Sequence, residues 1–114
     1  IFIFGLSTEE VASRRASGWR GQRAVEASSR LREVLDAIRG GTFSPDDPTR
    51  YHGLVDDLLN HDHFMVTADF DEYWHAQRRA DALWADRTAW GQAAIRNTAK
   101  MAWFSSDRTI AEYA

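Results

Sequence analysis

The chain opens on Ile1-Phe2-Ile3-Phe4, four bulky apolar residues in a row, with Gly5 behind them. β-Branched and aromatic residues bounded by a glycine predict a short strand. No residue in it is polar, so both of its faces need cover, as in the interior of a parallel sheet coated by helices. No second stretch of the chain reads as a partner strand. The expected strand therefore requires a sheet supplied from elsewhere. With no initiator methionine in front of it, the chain is expected to be a piece of something larger.

Helical signals fill the remainder. Ser7 followed by Glu10 fits a capping box, in which each side chain takes the other residue's free backbone N–H. Gly18 stops that first helix. Leu31, Val34, Leu35 and Ile38 follow the i, i+3, i+4, i+7 rule, which predicts one amphipathic helix over residues 24–39, ended by Gly40-Gly41. Ser44-Pro45-Asp46-Asp47-Pro48 is a turn. Tyr51, Leu54, Val55, Leu58 and Leu59 share a face of a third helix, and residues 60–68 connect it to the next. Asp69 and Glu72 form a second expected capping pair, opening a helix that runs to Trp84 with Tyr73, Gln77, Ala80 and Trp84 along one face. Asp86 or Thr88 opens a fifth helix carrying Trp90, Ala94, Ile95 and Met101. A last helix is expected near Thr109, capped by Ser106. Short connections make neighbouring helices pack antiparallel or at steep angles.

Composition excludes several functions. The 114 residues suffice for one small domain. A net charge of −3 with both signs interspersed offers no basic stripe for a phosphate backbone, so nucleic acid is not an expected partner. No apolar run approaches the roughly 20 residues of a membrane span, and no membrane association is expected. The absence of cysteine removes a disulfide framework, a thiolate zinc site and a cysteine nucleophile together, and fits a reducing compartment.

The chemistry-bearing clusters each have a structural reading beside the functional one. His61-Asp62-His63 places alternate histidines in a connector, where with Asp69 they have the chemistry to hold zinc or nickel, but two histidines without a fixed third ligand are weak evidence and a solvated loop is the expected reading. Asp56, Asp57, Asp69 and Asp71 offer the carboxylates that glycoside cleavage needs in facing pairs, and they also sit where caps and solvent-facing helix positions are expected. Gly18, Gly40 and Gly41 follow helices, as C-caps do, whereas a phosphate cradle precedes one. Of the five tryptophans, Trp74 beside Tyr73 is the candidate sugar platform, while Trp84, Trp90 and Trp103 are spaced to face a helical core or an interface. Ser105-Ser106-Asp107-Arg108 has no adjacent histidine to activate a hydroxyl. Residue chemistry alone therefore reads as a helical module with no catalytic, cofactor-binding or metal site.

A resemblance adds to this reading. Trp103-Phe104-Ser105-Ser106-Asp107-Arg108-Thr109-Ile110-Ala111-Glu112-Tyr113 resembles the C-terminal signature F-S-S-D-R-T-I-x-x-Y of the α-glucan phosphorylases, the glycogen, starch and maltodextrin family. Other pieces match in the same order. Phe2-Ile3-Phe4-Gly5-Leu6 and Thr8-Glu9-Glu10-Val11 look like the family's last sheet strand and the helix after it. Gly41-Thr42-Phe43-Ser44-Pro45 is similar to its G-x-F-S-P turn. Leu54-Val55-Asp56 with Leu58, Leu59 and Asp62, then Ala68-Asp69-Phe70 with Tyr73 and Gln77, then Trp90, Ile95, Asn97 and Ala99, continue the likeness. Ala102-Trp103 depart from the small-plus-basic pair usual before F-S-S-D-R, Gly91-Gln92 depart from a polar-basic pair after the tryptophan, and residues 19–28 are poor in tyrosine and proline.

The resemblance implies that residues 1–114 are the C-terminal segment of the second, cofactor-side domain of a two-domain Rossmann-like (GT-B type) glycosyltransferase: mainly α, with one N-terminal strand. Members of this allosteric, usually homodimeric and cytoplasmic family cleave α-1,4-glucans with orthophosphate, releasing glucose 1-phosphate, and use pyridoxal phosphate. The cofactor lysine and the glycine-rich phosphate loop match no position here, and Lys100, the only lysine, corresponds to neither. The implied role is scaffold, inactive alone, with the rest of the phosphorylase chain as partner. The alternative is a stand-alone helical protein-interaction module.

Overall fold

The computed structural model describes residues 1–114. Seven α-helices and one 3-10 turn account for all of its regular structure. Helix α1, Thr8–Ala16, begins as the sequence predicts. The Ser7 hydroxyl accepts from the Glu10 N–H at 3.3 Å, and the Ser7 N–H donates to the Glu10 carboxylate at 2.8 Å. The Ser7 backbone N–H first, and then the Ser7 side chain as a hydrogen-bond donor to the carboxylate, hold the Glu10 carboxyl below the ordinary glutamate range, with Arg14 adding to the effect. Gly18 ends the helix at φ +69°, a conformation that suits glycine. Its N–H donates to the Arg15 carbonyl and that of Trp19 to the Arg14 carbonyl, which is the Schellman closure.

The single helix expected over residues 24–39 is two. Helix α2, Gln22–Ala27, and helix α3, Ser29–Arg39, are separated by Ser28 at φ −120°, ψ 106°. The buried Ser28 hydroxyl accepts from the Leu31 N–H at 3.2 Å and donates to Asp71 at 2.9 Å. A cap for α3 and a long-range partner thus outweigh helix continuity. A second Schellman closure follows α3, with Gly41 at φ +77° and bonds from Gly41 to Ile38 and from Thr42 to Ala37. Helix α4, His52–Asn60, follows the turn. Val25, Leu31, Leu35 and Val55 form the core where α2, α3 and α4 meet, flanked by Ala24, Ile38, Leu58, Leu59 and Phe70. Gly21 makes the closest approach: a Cβ there would lie 2.0 Å from the Leu58 carbonyl oxygen.

Helix α5, Val66–Ala85, starts four residues before the position that Asp69 as a cap would set. Asp69 and Glu72 do not form a capping pair; their carboxylates accept from the Leu6 and Gly5 N–H groups, both at 2.9 Å. Helix α6, Arg87–Lys100, is capped by Asp86, whose carboxylate accepts from the Ala89 N–H at 2.9 Å. A 3-10 turn over Met101–Phe104 leads to helix α7, Ser106–Tyr113, capped by Ser105 and not by Ser106.

Residues 1–4 form no strand. A strand exists only by pairing, and every other segment is helix, turn or loop. The backbone groups near the start are instead held by side chains of α5, including a bond from Arg79 to the Ile3 carbonyl at 3.3 Å. The chain divides into two compact units, Phe4–His75 and Ile1–Ile3 with Ala76–Ala114. The first holds the α2–α3–α4 core. In the second, neither α6 nor α7 has a buried residue.

Candidate functional site

Asp62 sits at the turn between α4 and α5 with φ +40°, and it is 2% exposed. Its carboxylate accepts from the Val66 N–H at 2.8 Å, the Thr67 N–H at 3.1 Å, the Thr67 hydroxyl and the Trp19 indole N–H at 3.2 Å. The first two are unpaired donors at the start of α5, so Asp62 caps that helix and sets its negative charge at the positive end of the helix dipole. The neighbouring histidines turn elsewhere. His61 Nδ1 lies 3.0 Å from Asp57, its partner one helical turn back. The His63 ring packs edge-on against Phe64, and the His63 carbonyl accepts from Arg15 at 3.0 Å. No three His, Cys, Asp or Glu side chains converge as a metal site.

The other aspartates have separate partners. Asp56 pairs with Arg39, Asp57 with His61, Asp69 with the Leu6 N–H, and Asp71 with Ser28 and Arg30. None of these bonds joins one carboxylate to another. The Trp74 ring carries the Arg30 guanidinium 3.9 Å from its centroid and meets His75 edge-on at 5.0 Å, so the expected sugar platform has protein on it. Trp84 and Trp103, which spacing puts on a core or interface face, are exposed. Trp84 instead meets Trp90 edge-on at 4.9 Å and stacks under Arg87 at 4.1 Å.

In the Phe104–Arg108 run, Ser105 accepts from the Arg108 N–H at 3.3 Å and its carbonyl accepts from the Thr109 hydroxyl at 3.2 Å. Arg108 donates to the Trp103 carbonyl, pairs with Glu112 and stacks on the Trp103 ring at 4.2 Å. These contacts bind the start of α7 to the 3-10 turn, a positioning role for Ser105 and Arg108. Lys100 is exposed at the last residue of α6. Of the three glycines at positive φ, Gly18 and Gly41 close helix C-termini, whereas an anion is bound at an N-terminus; Gly5 lies before α1 and its N–H donates to Glu72.

What the surface offers most is apolar area. In the Phe4–His75 unit, Phe4, Phe64, Val66, Phe70 and Tyr73 line a cleft of about 400 Å³ with Asp69 as its one charged member. Phe4 and Tyr73 meet edge-on there at 5.3 Å. In the other unit Ile1, Phe2, Leu83, Trp90, Ala93 and Ala94 line a second cleft of about 350 Å³. Ile95, Phe104, Ile110 and Tyr113 stand exposed on α6, the 3-10 turn and α7, with Tyr113 at 89%. Sequence reasoning placed Trp90 on a core or interface face without deciding between them, because periodicity reports an apolar face and not what covers it.

The family model for carbohydrate phosphorylases matches residues 1–114. A glycogen phosphorylase of Pasteurella multocida is 44% identical over 114 residues, which is all of this chain and 14% of the relative. That of Haemophilus influenzae is 43% identical over the same span, and the brain form of Bos taurus 42%. The chain thus spans 14% of the length of these three curated relatives.

Proposed function

The chain belongs to the carbohydrate phosphorylase family, and from that premise we propose that it is the C-terminal scaffold segment of the second, cofactor-side Rossmann-like domain of a 1,4-α-D-glucan phosphorylase. The observation that carries this reading is the mismatch between core and surface. Six apolar side chains are buried, while Ile1, Ile3, Phe64, Ile95, Phe104, Ile110 and Tyr113 are each more than half exposed. Helices that leave such faces bare gain most of their stability from cover supplied by other chain. The remainder of a phosphorylase would supply it, with residues 1–4 completing a sheet edge and the helices bracing that sheet.

In this reading phosphorolysis of glycogen or maltodextrin, with release of glucose 1-phosphate, belongs to the assembled, homodimeric and cytoplasmic enzyme. Pyridoxal phosphate would supply its phosphate group as the acid–base element of that enzyme. The residues present here do not fit it: Lys100 is exposed at a helix end, and no run of several glycines precedes a helix N-terminus, where Gly5 and Gly21 stand singly. No catalytic step is therefore assigned to this chain, and the segment is expected to bind no cofactor alone. A swap tests the proposal. Residues 1–114 replace the corresponding segment of the Pasteurella multocida phosphorylase, and phosphorolysis is measured. The chimaera is expected to keep activity within about tenfold of the parent, a change of about 1.4 kcal/mol in the barrier. A soluble but inactive chimaera overturns the scaffold reading and favours the stand-alone interaction module.

A further inference from the structure

Arg14-Arg15-Ala16-Ser17 closes α1, and no other serine or threonine of the chain has arginine both two and three residues before it. We propose that Ser17 is a phosphorylation site for an arginine-directed serine kinase, and that the phosphate releases the end of α1 from the turn between α4 and α5. The scaffold role asks nothing of Ser17, so this goes beyond it.

Access comes first. Arg15, Ser17, Gly18 and Arg20 are exposed. The Ser17 hydroxyl donates to the Arg14 carbonyl at 2.8 Å, a local bond that holds it to no other element. Nothing lies within 4 Å of where a Cβ on Gly18 would stand, so the hydroxyl is followed by open space. A kinase takes its substrate as extended chain, and the last turn of α1 must open to reach it. Helix α1 buries no residue, which keeps the cost of that opening low.

Charge comes second. Arg14, Arg15, Arg20 and Arg23 fall within residues 11–25, a stretch with no aspartate or glutamate. None of the four lies in an ion pair, whereas Arg30, Arg39, Arg50, Arg78 and Arg108 each have a carboxylate. Arg14 stacks on the Trp19 ring at 4.9 Å, and Arg15 donates to the His63 carbonyl at 3.0 Å. Both guanidiniums are thus open to the carboxylates with which such a kinase reads its substrate. In the transfer, Ser17 Oγ bonds to the γ-phosphorus of a nucleoside triphosphate as the bond from that phosphorus to the β–γ bridging oxygen breaks. The hydroxyl proton passes to the base of the kinase, and nucleoside diphosphate leaves.

The consequence follows from position. Ser17 is the C-cap of α1. Once phosphorylated, its Oγ has no proton for the Arg14 carbonyl, and a phosphate faces the negative end of the helix dipole, which is unfavourable. The same phosphate offers Arg14 and Arg15 charge-assisted bonds in place of a ring face and a neutral carbonyl. The Arg15–His63 bond, which ties α1 to the α4–α5 turn, is then lost, while the Trp19–Asp62 bond remains.

The test uses the chimaeric phosphorylase, where α1 sits in a full-length enzyme, and a synthetic peptide of residues 10–24, which needs no fold. Each is treated with magnesium ATP and the catalytic subunit of the cyclic-AMP-dependent kinase, and phosphate is located by tandem mass spectrometry. The readout is independent of phosphorolysis, so an inactive chimaera does not alter the outcome. Ser17 is expected to be modified in both, and the segment to take no phosphate in Ser17→Ala. Arg15→Gln should lower kcat/KM for the peptide about tenfold. In the chimaera, exchange of the amide hydrogens of residues 15–19 should quicken about tenfold on phosphorylation, with no change in Ser17→Ala treated alike. An unmodified peptide overturns the recognition. A modified peptide beside a chimaera unmodified at Ser17 overturns the site, and modification without faster exchange overturns the release of α1.

Discussion

At Asp62 one buried carboxylate ties the start of α5 to the indole that follows α1, across 43 residues of sequence. Gly21 performs the complementary task by having no side chain. It opens α2 against the end of α4, where even a Cβ would sit 2.0 Å from the Leu58 carbonyl oxygen and 3.0 Å from the Thr67 hydroxyl. Backbone oxygen cannot swing aside as a side-chain tip can. Gly21→Ala is therefore expected to cost about 3 kcal/mol, the upper end of overpacking penalties. Gly53→Ala is the control, since nothing lies within 4 Å of a Cβ there. Urea denaturation of both variants measures the difference; equal midpoints would mean that α2 and α4 are not held in this contact. Neither role is visible in sequence, because a glycine before a helix and an aspartate in a polar loop have many commoner explanations.

At the scale of elements, local chemistry was legible and long-range chemistry was not. The Ser7–Glu10 box, the glycine closures at Gly18 and Gly41 and the Asp86 cap all lie within four residues of what they satisfy, so spacing alone finds them. The break at Ser28 depends on Asp71, and the placing of Asp69 and Glu72 depends on Leu6 and Gly5, each more than 40 residues away. The candidate site was partly legible on the same terms. His61-Asp62-His63 stood out as a cluster, but that Asp62 faces inward and Arg15 joins the histidines only the fold reveals. The Ser7–Glu10 box also makes a pH prediction. Its hydrogen bonds lower the folded-state pKa of Glu10. Such a group stabilises the fold above its unfolded pKa, and the contribution is lost as pH falls through the folded value. Exchange of the Ser7 amide hydrogen, compared between about pH 6 and about pH 3 after correction for intrinsic rates, should show protection fading at the acid end. Glu10→Gln should abolish that trend, and a wild-type profile that stays flat would remove the box as a contributor.

For the whole molecule the decisive quantity is apolar area left bare. Ordering each residue costs roughly 1–2 kcal/mol of backbone entropy, and burial returns about 25 cal/mol per Å² of apolar surface. The α2–α3–α4 core contributes to that balance, but α1, α6 and α7 bury no residue. The isolated chain is therefore expected to be helical, marginally stable and self-associating, since association is the available route to covering those faces. The first three residues sharpen the test. Ile1 and Ile3 are 102% and 83% exposed and belong to no helix, while Phe4 already has Tyr73 beside it. Unpaired backbone in an apolar extension can template pairing with another copy. Deleting residues 1–3 should lower association and leave helical circular dichroism nearly unchanged, as sedimentation of both forms over a range of concentrations would show. The measurement also separates the two readings of the chain. A monomer with a sharp melt above about 60 °C, near the top of the usual mesophile range, would need no cover from other chain. The bare faces would then serve an external partner, as an interaction module requires. Concentration-dependent association with a broad melt is what a phosphorylase scaffold separated from its neighbours should display, because the surfaces that associate are those the rest of the enzyme would bury.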